Sequence, residues 1–402
     1  VAITQVTVLI DGQEYTLTYN ETTRAYEGVV TPTGTSFHQP GGYFNAAVTA
    51  SNDSGVTTST DGGNLQGLRL VVRETVGPVL TLVSPAAGFV TTSQPAITVD
   101  VTDEPGGSGV DISTLSMAVD GLPGTITTTA IPNGYRAVYT PADPLAEGAH
   151  SFTASVSDYD GNRGSLAVSY VVDTVPPELQ LNTYLRVVDT DHVRVSGRAW
   201  DVTTPPITLT IGGELVQTDS EGLFAHDAPL TIGKNYIPVS VTDLAGLETT
   251  ATLYVIRLIT DRTQGDVDTL KALLAQQDLS ALAQWHRGAY NHTDFNRVAA
   301  AMELLGEILY SYGYLNTYVP EPVRDVYSIP SPADTQAYLN NVERMRTARP
   351  LPEAYPATPE DMEDFTFQEA NDIEKILVQV NAILPKLEPS WILCGEPMCG
   401  EW

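Results

Sequence analysis

One phrase recurs three times along the chain and fixes most of what it can become. Thr49-Ala50-Ser51-Asn52-Asp53-Ser54-Gly55, Val156-Ser157-Asp158-Tyr159-Asp160-Gly161-Asn162 and Val241-Thr242-Asp243-Leu244-Ala245-Gly246 each lie between two alternating apolar strands. Asp and Gly both tolerate positive φ, so such a pair between strands predicts a tight hairpin. Three hairpins of one kind predict three copies of one β-domain.

A second turn precedes each hairpin. Asp11-Gly12 separates Val6–Ile10 from Tyr15–Tyr19, Asp120-Gly121 follows Met117-Ala118-Val119, and Gly212-Gly213 follows Ile207–Ile211. The interval between the two turns shortens from copy to copy, as loops do when strands persist. Gly77-Pro78 and the Pro176-Pro177 pair mark borders, since proline cannot donate to a ladder. Short strands with regular turns and no Cys–Trp–Cys pattern predict disulfide-free immunoglobulin-like sandwiches at 1–77, 78–175 and 176–258. The first copy reaches its Asp-Gly turn by residue 12, so its first two strands are expected to be missing from it. An open edge of this kind predicts pairing with another chain or with the C-terminal region.

After Leu258 the apolar period changes from 2 to 3.6. Thr263 to Asp266 reads as a capping box ahead of Val267, Leu270, Leu273 and Leu274. Further helices are predicted at Leu279–Trp285, from Thr293 to Tyr312, after Ser331-Pro332 and after Thr366. The fold class is thus multidomain: three all-β units followed by a mainly α-helical module at 259–402, closing on a short hairpin.

Charge limits the partners. The chain carries 20 Lys and Arg against 49 Asp and Glu, a formal charge of −29. Such a surface repels nucleic acid and anionic membrane. No apolar run reaches a membrane span, and no signal peptide is read at the start. Two cysteines, Cys394 and Cys399, make no disulfide framework. They read as a local disulfide or as free thiols.

Catalytic patterns are missing: no Gly-x-Ser-x-Gly elbow, no His-Glu-x-x-His and no phosphate-binding glycine loop before a helix. No catalytic residue and no resident cofactor are assigned. Asp158, Asp160 and Asn162 offer hard oxygen ligands at alternating positions, with Asp103, Glu104, Asp111 and Asp173 on other loops, and so form a candidate calcium site. The competing reading is a solvated turn, because the loop lacks the full EF-hand pattern. Asn291, Thr293, Asp294, Asn296 and Arg297 form a polar cluster at a helix start. They are a candidate partner contact, and equally a local capping arrangement.

Two resemblances follow from these segments. The repeats, with Asp173-Thr174-Val175-Pro176-Pro177 between units, resemble immunoglobulin-like repeat proteins of phages and prophages of Gram-positive bacteria. Beyond them, Asp261–Asp268, Gly288–Val298, Tyr338–Val342, Ala370–Leu377 and the closing Cys-Gly-Glu doublet run in the order of a helical module. That module recurs at the end of phage tail and virion structural proteins. The resemblance implies a virion location and a role in assembly or host attachment. Its implied partners are other virion proteins, further copies of the chain, and a host glycan or protein. A capsid decoration protein and a bacterial adhesin stalk are the alternatives. The cysteines depart from the module's pattern, so no role transfers to them.

Overall fold

The computed structural model describes residues 2–276, 287–314, 318–348 and 355–384. It divides into two compact units, one ending at Val175 and the other starting at Pro176.

The first unit opens with a five-stranded sheet. Ile3–Ile10 lies between Gln13–Asn20 and Ala47–Asn52, with Ala25–Glu27 and Thr57–Thr60 on the two edges. Asp11 and Gly12 join the first pair at φ 49° and 75°. Two positive values make a type I′ turn, whose twist matches that of the flanking strands. Asp120-Gly121 (51° and 78°) and Gly212-Gly213 (62° and 87°) repeat the device. The core under this sheet is small, with Val8, Ile10, Phe44 and Ala46 buried.

The rest of this unit is an immunoglobulin-like sandwich. One half runs in the order Val79–Ser84, Ile97–Thr102, Gly134–Pro141, Leu122–Ile131. The other runs Val110–Val119, Gly148–Asp158, Arg163–Val172, Gly88–Val90. Only the ends of two strands join the halves, Ala118 opposite Pro123 and Val119 opposite Leu122. The chain changes sheets early. It leaves the antiparallel pairing with Ile97–Thr102 and re-enters as a parallel partner of Tyr170–Val172. Ile97, Val99 and Val101 point inward in strict alternation, against Tyr139 and Phe152. The buried Tyr139 hydroxyl donates to the Leu122 carbonyl at 3.0 Å and accepts the Val119 N–H at 3.3 Å.

The second unit repeats the early change of sheet. Glu178–Leu181 pairs antiparallel with His192–Trp200, and Val187–Val188 pairs parallel with Ile256 and Arg257. Four helices follow among the described residues: α1 (Gln264–Gln276), α2 (His292–Ser311), α3 (Pro332–Thr347) and α4 (Phe367–Ile383). The last three begin with complete capping boxes, Asn291 with Asp294, Ser331 with Asp334 and Thr366 with Glu369. Each box satisfies orphan N–H groups of the first turn. No helix among the described residues is long and apolar enough to cross a membrane. The helix expected at 279–285 and the hairpin with Cys394 and Cys399 lie outside the described residues.

Residues on the two sides of Leu258 share one interior. Val187, Ile256 and Leu258 are buried in the same core as Val298, Leu305, Val342, Ile373 and Leu377. Asn381 of α4 also donates to the Val187 carbonyl at 2.9 Å. The helices therefore close over the end of the last β region and share its interior.

The recurrent hairpins differ from expectation in one respect. Gly55, Gly161 and Gly246 take positive φ (76°, 96° and 87°), but the aspartates do not. Asp158 instead accepts the Asn162 N–H, four residues on, at 2.8 Å. Asp243 does the same for Leu247 at 2.9 Å. In the first copy this part is played by Asn52, whose side chain accepts the Val56 N–H at 3.0 Å. The equivalent residue there is Asn52, not Asp53.

Candidate functional site

Three carboxylates meet at the edge of the central sandwich. Glu74 comes from the connection after the N-terminal sheet, Asp103 from the loop after Ile97–Thr102, and Asp158 from the recurrent hairpin. One oxygen of each lies within 4.8 Å of the other two. Asp103 and Asp158 are buried at 7% and 2% exposure, and Glu74 is half-buried.

Backbone donors hold each group in place. Glu74 Oε1 accepts the Ser108 N–H at 2.6 Å, and Asp103 Oδ2 accepts the Gly109 N–H at 2.7 Å. Asp158 takes both the backbone and the side-chain amide of Asn162, at 2.8 and 2.9 Å. Glu74 Oε2 and Asp103 Oδ1 are buried with no hydrogen-bond partner. None of the three forms a salt bridge among the described residues. Burial raises the Glu74 carboxyl above its usual range; the Ser108 donors oppose the rise and the Asp103 charge adds to it. Burial also raises Asp103, against the Gly109 N–H and with the charges of Glu104 and Asp158.

The residues picked out in the sequence divide here. Asp158 is in the cluster, and Asp103 joins it from the neighbouring loop. Asp160 turns to other work: its Oδ2 accepts the Thr35 hydroxyl at 2.6 Å and the Glu74 N–H at 3.1 Å, tying the N-terminal sheet region to the sandwich. Asn162 donates to the Glu74 carbonyl at 3.1 Å. Asp111 accepts from Ser113, and Asp173 accepts the Val175 N–H. Phe37 stacks on Tyr159 with ring centroids 4.9 Å apart, next to these contacts. Glu74 has no signal in the sequence beyond its place in the connection between two copies.

A second buried cluster lies within the helices. Arg262 reaches Asp294 at 2.9 Å and Glu374 at 2.6 Å. Arg297 reaches the same two carboxylates, Glu374 at 2.7 Å and Asp294 at 2.5 Å. Asp294 and Glu374 are fully buried. Burial opposes the Arg297 charge, but Glu374 and Asp294 outweigh it and hold the guanidinium above its ordinary value. Tyr290, Phe295, Phe365 and Tyr338 wall this region edge to face.

The polar cluster at 291–297 is part of this interior. Asn291 caps α2 and accepts the Thr293 N–H at 2.8 Å. Asn296 pairs with the backbone of Arg324, donating to its carbonyl at 2.7 Å and accepting its N–H at 2.8 Å. Asp294 and Arg297 are buried in the charge network, and Thr293 is exposed. Within this group Asn291 and Thr293 make capping bonds alone among the described contacts, and Thr293 is the exposed one.

No family model matches the chain, and no curated protein matches it. Solved structures do. It is similar to the fibronectin(III)-like modules of Clostridium thermocellum CbhA, at 19% identity over 44% of this chain and 93% of that one, with a TM-score of 0.30. It is also similar to the eight N-terminal Ig domains of Down Syndrome Cell Adhesion Molecule, at 15% identity over 64% of this chain and 33% of that one, TM-score 0.33. A third similarity is to Sidekick-1 immunoglobulin domains 1–4, at 13% identity over 63% and 67%, TM-score 0.27. At such identities the likeness concerns fold alone.

Proposed function

We propose that this chain is a structural protein of a phage particle, belonging to its tail, baseplate or fibre, and serving assembly and host-surface attachment. In this reading three immunoglobulin-like units, at 1–77, 78–175 and 176–258, precede a helical assembly module at 259–402. The supporting observation is where the virion-like segments of that module go. Arg262, Asp294, Arg297 and Glu374 come from three of those segments and share one buried network. Asn371, beside Glu374, accepts the Arg262 N–H at 3.0 Å and returns a bond to its carbonyl at 2.9 Å. Tyr338, from a fourth segment, meets Tyr290 hydroxyl to hydroxyl. Segments spent on building an interior suit a scaffold, and the reading assigns no reaction.

Assembly has a candidate surface. Val323, Val326, Tyr327 and Ile329 lie between α2 and α3 at 91%, 70%, 87% and 92% exposure. Contiguous exposed apolar side chains of this kind mark interaction sites. Light scattering on the full chain tests the reading, because a fragment ending at Leu258 would bare the shared core. Self-association is expected, and a Val323→Asp/Ile329→Asp variant is expected to be monomeric. Recovery of the chain in purified virions, labelled on tails, is the matching result in the particle. Label on heads would favour capsid decoration. A monomer found in cell-wall fractions and missing from particles would overturn the proposal in favour of an adhesin stalk.

A further inference from the structure

We propose that Glu74, Asp103 and Asp158 bind a calcium ion that fastens the segment leaving the N-terminal sheet to the central sandwich. The proposal stands apart from the virion reading and does not depend on it. An acidic cluster alone would not carry it, since this chain is acidic throughout. Two further observations do.

The first is the orphaned oxygens. Asp103 is more than nine-tenths buried, and its Oδ1 has no partner; Glu74 Oε2 is likewise buried and unpartnered. Leaving a buried charged acceptor unsatisfied is costly, and the usual remedies are a proton, a donor or a metal. The second is how closely the Gly107 backbone lets two of the carboxylates approach one another. A Cβ built on Gly107 would stand 2.5 Å from Asp103 Oδ2 and 2.6 Å from Glu74 Oε2. Gly107 does not need positive φ, so a side chain is excluded there because the two carboxylates already crowd its place, not because of backbone conformation.

The donor set favours one ion class. Calcium binds oxygen at about 2.3–2.6 Å, so ligands on opposite sides of one ion are roughly 4.8 Å apart. The three carboxylate oxygens lie within that span. Each carboxylate has about four lone-pair sites, so the backbone donors on Asp103 and Asp158 leave acceptor capacity for a metal. Cysteine and histidine take no part in the cluster, which disfavours zinc. Magnesium demands a tighter octahedron and retains most of its water, whereas calcium accepts irregular sets of six to eight oxygens. Glu104, whose carboxyl lies close enough to raise Asp103, is available as a further ligand.

Position gives the ion its consequence. Glu74 is tied to Ser108 and Asn162, and its own N–H goes to Asp160, so an ion here closes a seam already outlined by hydrogen bonds. Gly77 packs on the Arg163 backbone immediately downstream. Filling the site would stiffen residues 73–78 against the sandwich.

The test uses the full chain in EGTA, CaCl2 or MgCl2. Thermal unfolding and calcium titration calorimetry would be read on the native chain and on Asp103→Asn, Glu74→Gln and Gly107→Ala. Limited proteolysis would report on residues 73–78. Calcium is expected to raise a thermal transition saturably and to protect 73–78 from cleavage. Each variant is expected to lose at least tenfold in calcium affinity at one site. Circular dichroism in EGTA checks that each variant folds; the native chain's response to calcium stands even where one does not. An unfolding curve identical in EGTA and 5 mM CaCl2 would overturn the proposal. So would a calcium response retained in all three variants, or an equal response to magnesium.

Discussion

Two buried charge clusters, made from similar side chains, resolve their charge in opposite ways. Around Glu374, two carboxylates face two guanidiniums, and every carboxylate oxygen named there has an arginine or backbone donor. Around Asp103, three carboxylates face amide donors, the Ser108 side chain and the Glu104 carboxyl but no cation among the described residues, and two of their oxygens have no hydrogen-bond partner. The first cluster has its counter-charges supplied by the chain itself, with only the Arg262 Nε donor buried and unpartnered among its named atoms, and it forms when the helices pack. The second lies where two β regions meet, and its charge is left for a proton or a cation to balance. Buried charge acts as a structural pin in one place and as a point of sensitivity to the surroundings in the other.

The sharpest way to break the comparison is to remove one charge from the closed cluster. Glu374→Gln leaves Arg262 and Arg297 sharing Asp294 alone, still buried. Losing one partner of a buried network costs about 3–5 kcal/mol. Urea unfolding should show that loss, and the native Ile259 N–H bond to Glu374 at 2.7 Å should weaken with it. A change below about 1 kcal/mol would mean that the network contributes nothing beyond its packing.

Next in size is the seam beside the open cluster. Asp160→Ala removes the acceptor for the Thr35 hydroxyl and the Glu74 N–H. Hydrogen bonds to a charged group are worth about 1.5–3 kcal/mol. The variant should unfold at lower denaturant and be cut more readily between residues 73 and 78. Asp103→Asn should behave in the opposite sense when calcium is chelated. Its amide can still accept the Gly109 N–H while donating towards Glu74, so stability in EGTA should rise by about 1 kcal/mol. Neutralising a buried acid would thus destabilise one cluster and stabilise the other; the same sign at both sites would abolish the distinction.

The sequence made much of this molecule legible through local chemistry. The turn pairs Asp11-Gly12, Asp120-Gly121 and Gly212-Gly213 announce positive φ, and the caps at Ser331 and Thr366 announce helix starts. Asp158 was visible because its loop is dense in oxygen ligands. Glu74 was not, because a ligand supplied by a connection 84 residues upstream has no spacing to read. Asp160 and Asn162 alternate with Asp158 as calcium ligands would, yet their side chains serve the seam instead. Asp294 and Arg297 look like surface polar groups at a helix start. Only the arrival of Arg262 and Glu374, far away in the chain, makes them interior. The change of sheet at Ser84–Gly88 was equally hidden, since a strand divided between two partners reads as one strand and a loop.

The smallest predicted effect depends on pH and separates the proton from the cation. Glu74 and Asp103 are both raised in the folded chain, mainly by burial. Between their unfolded values, near 4, and those raised values, the folded state holds more protons than the unfolded one. Stability in EGTA should therefore be greatest below the unfolded values and fall as pH rises through the window. The slope should stay under about 1.4 kcal/mol per pH unit for each group. In CaCl2 the sign should reverse, because calcium binds the deprotonated carboxylates and gains affinity as protons leave. Unfolding curves at half-unit steps from pH 4 to 7 would show the two conditions diverging. Asp103→Asn should flatten both slopes. Parallel curves would mean that the cluster keeps its proton whatever the metal concentration, and the open site would then be closed by hydrogen alone.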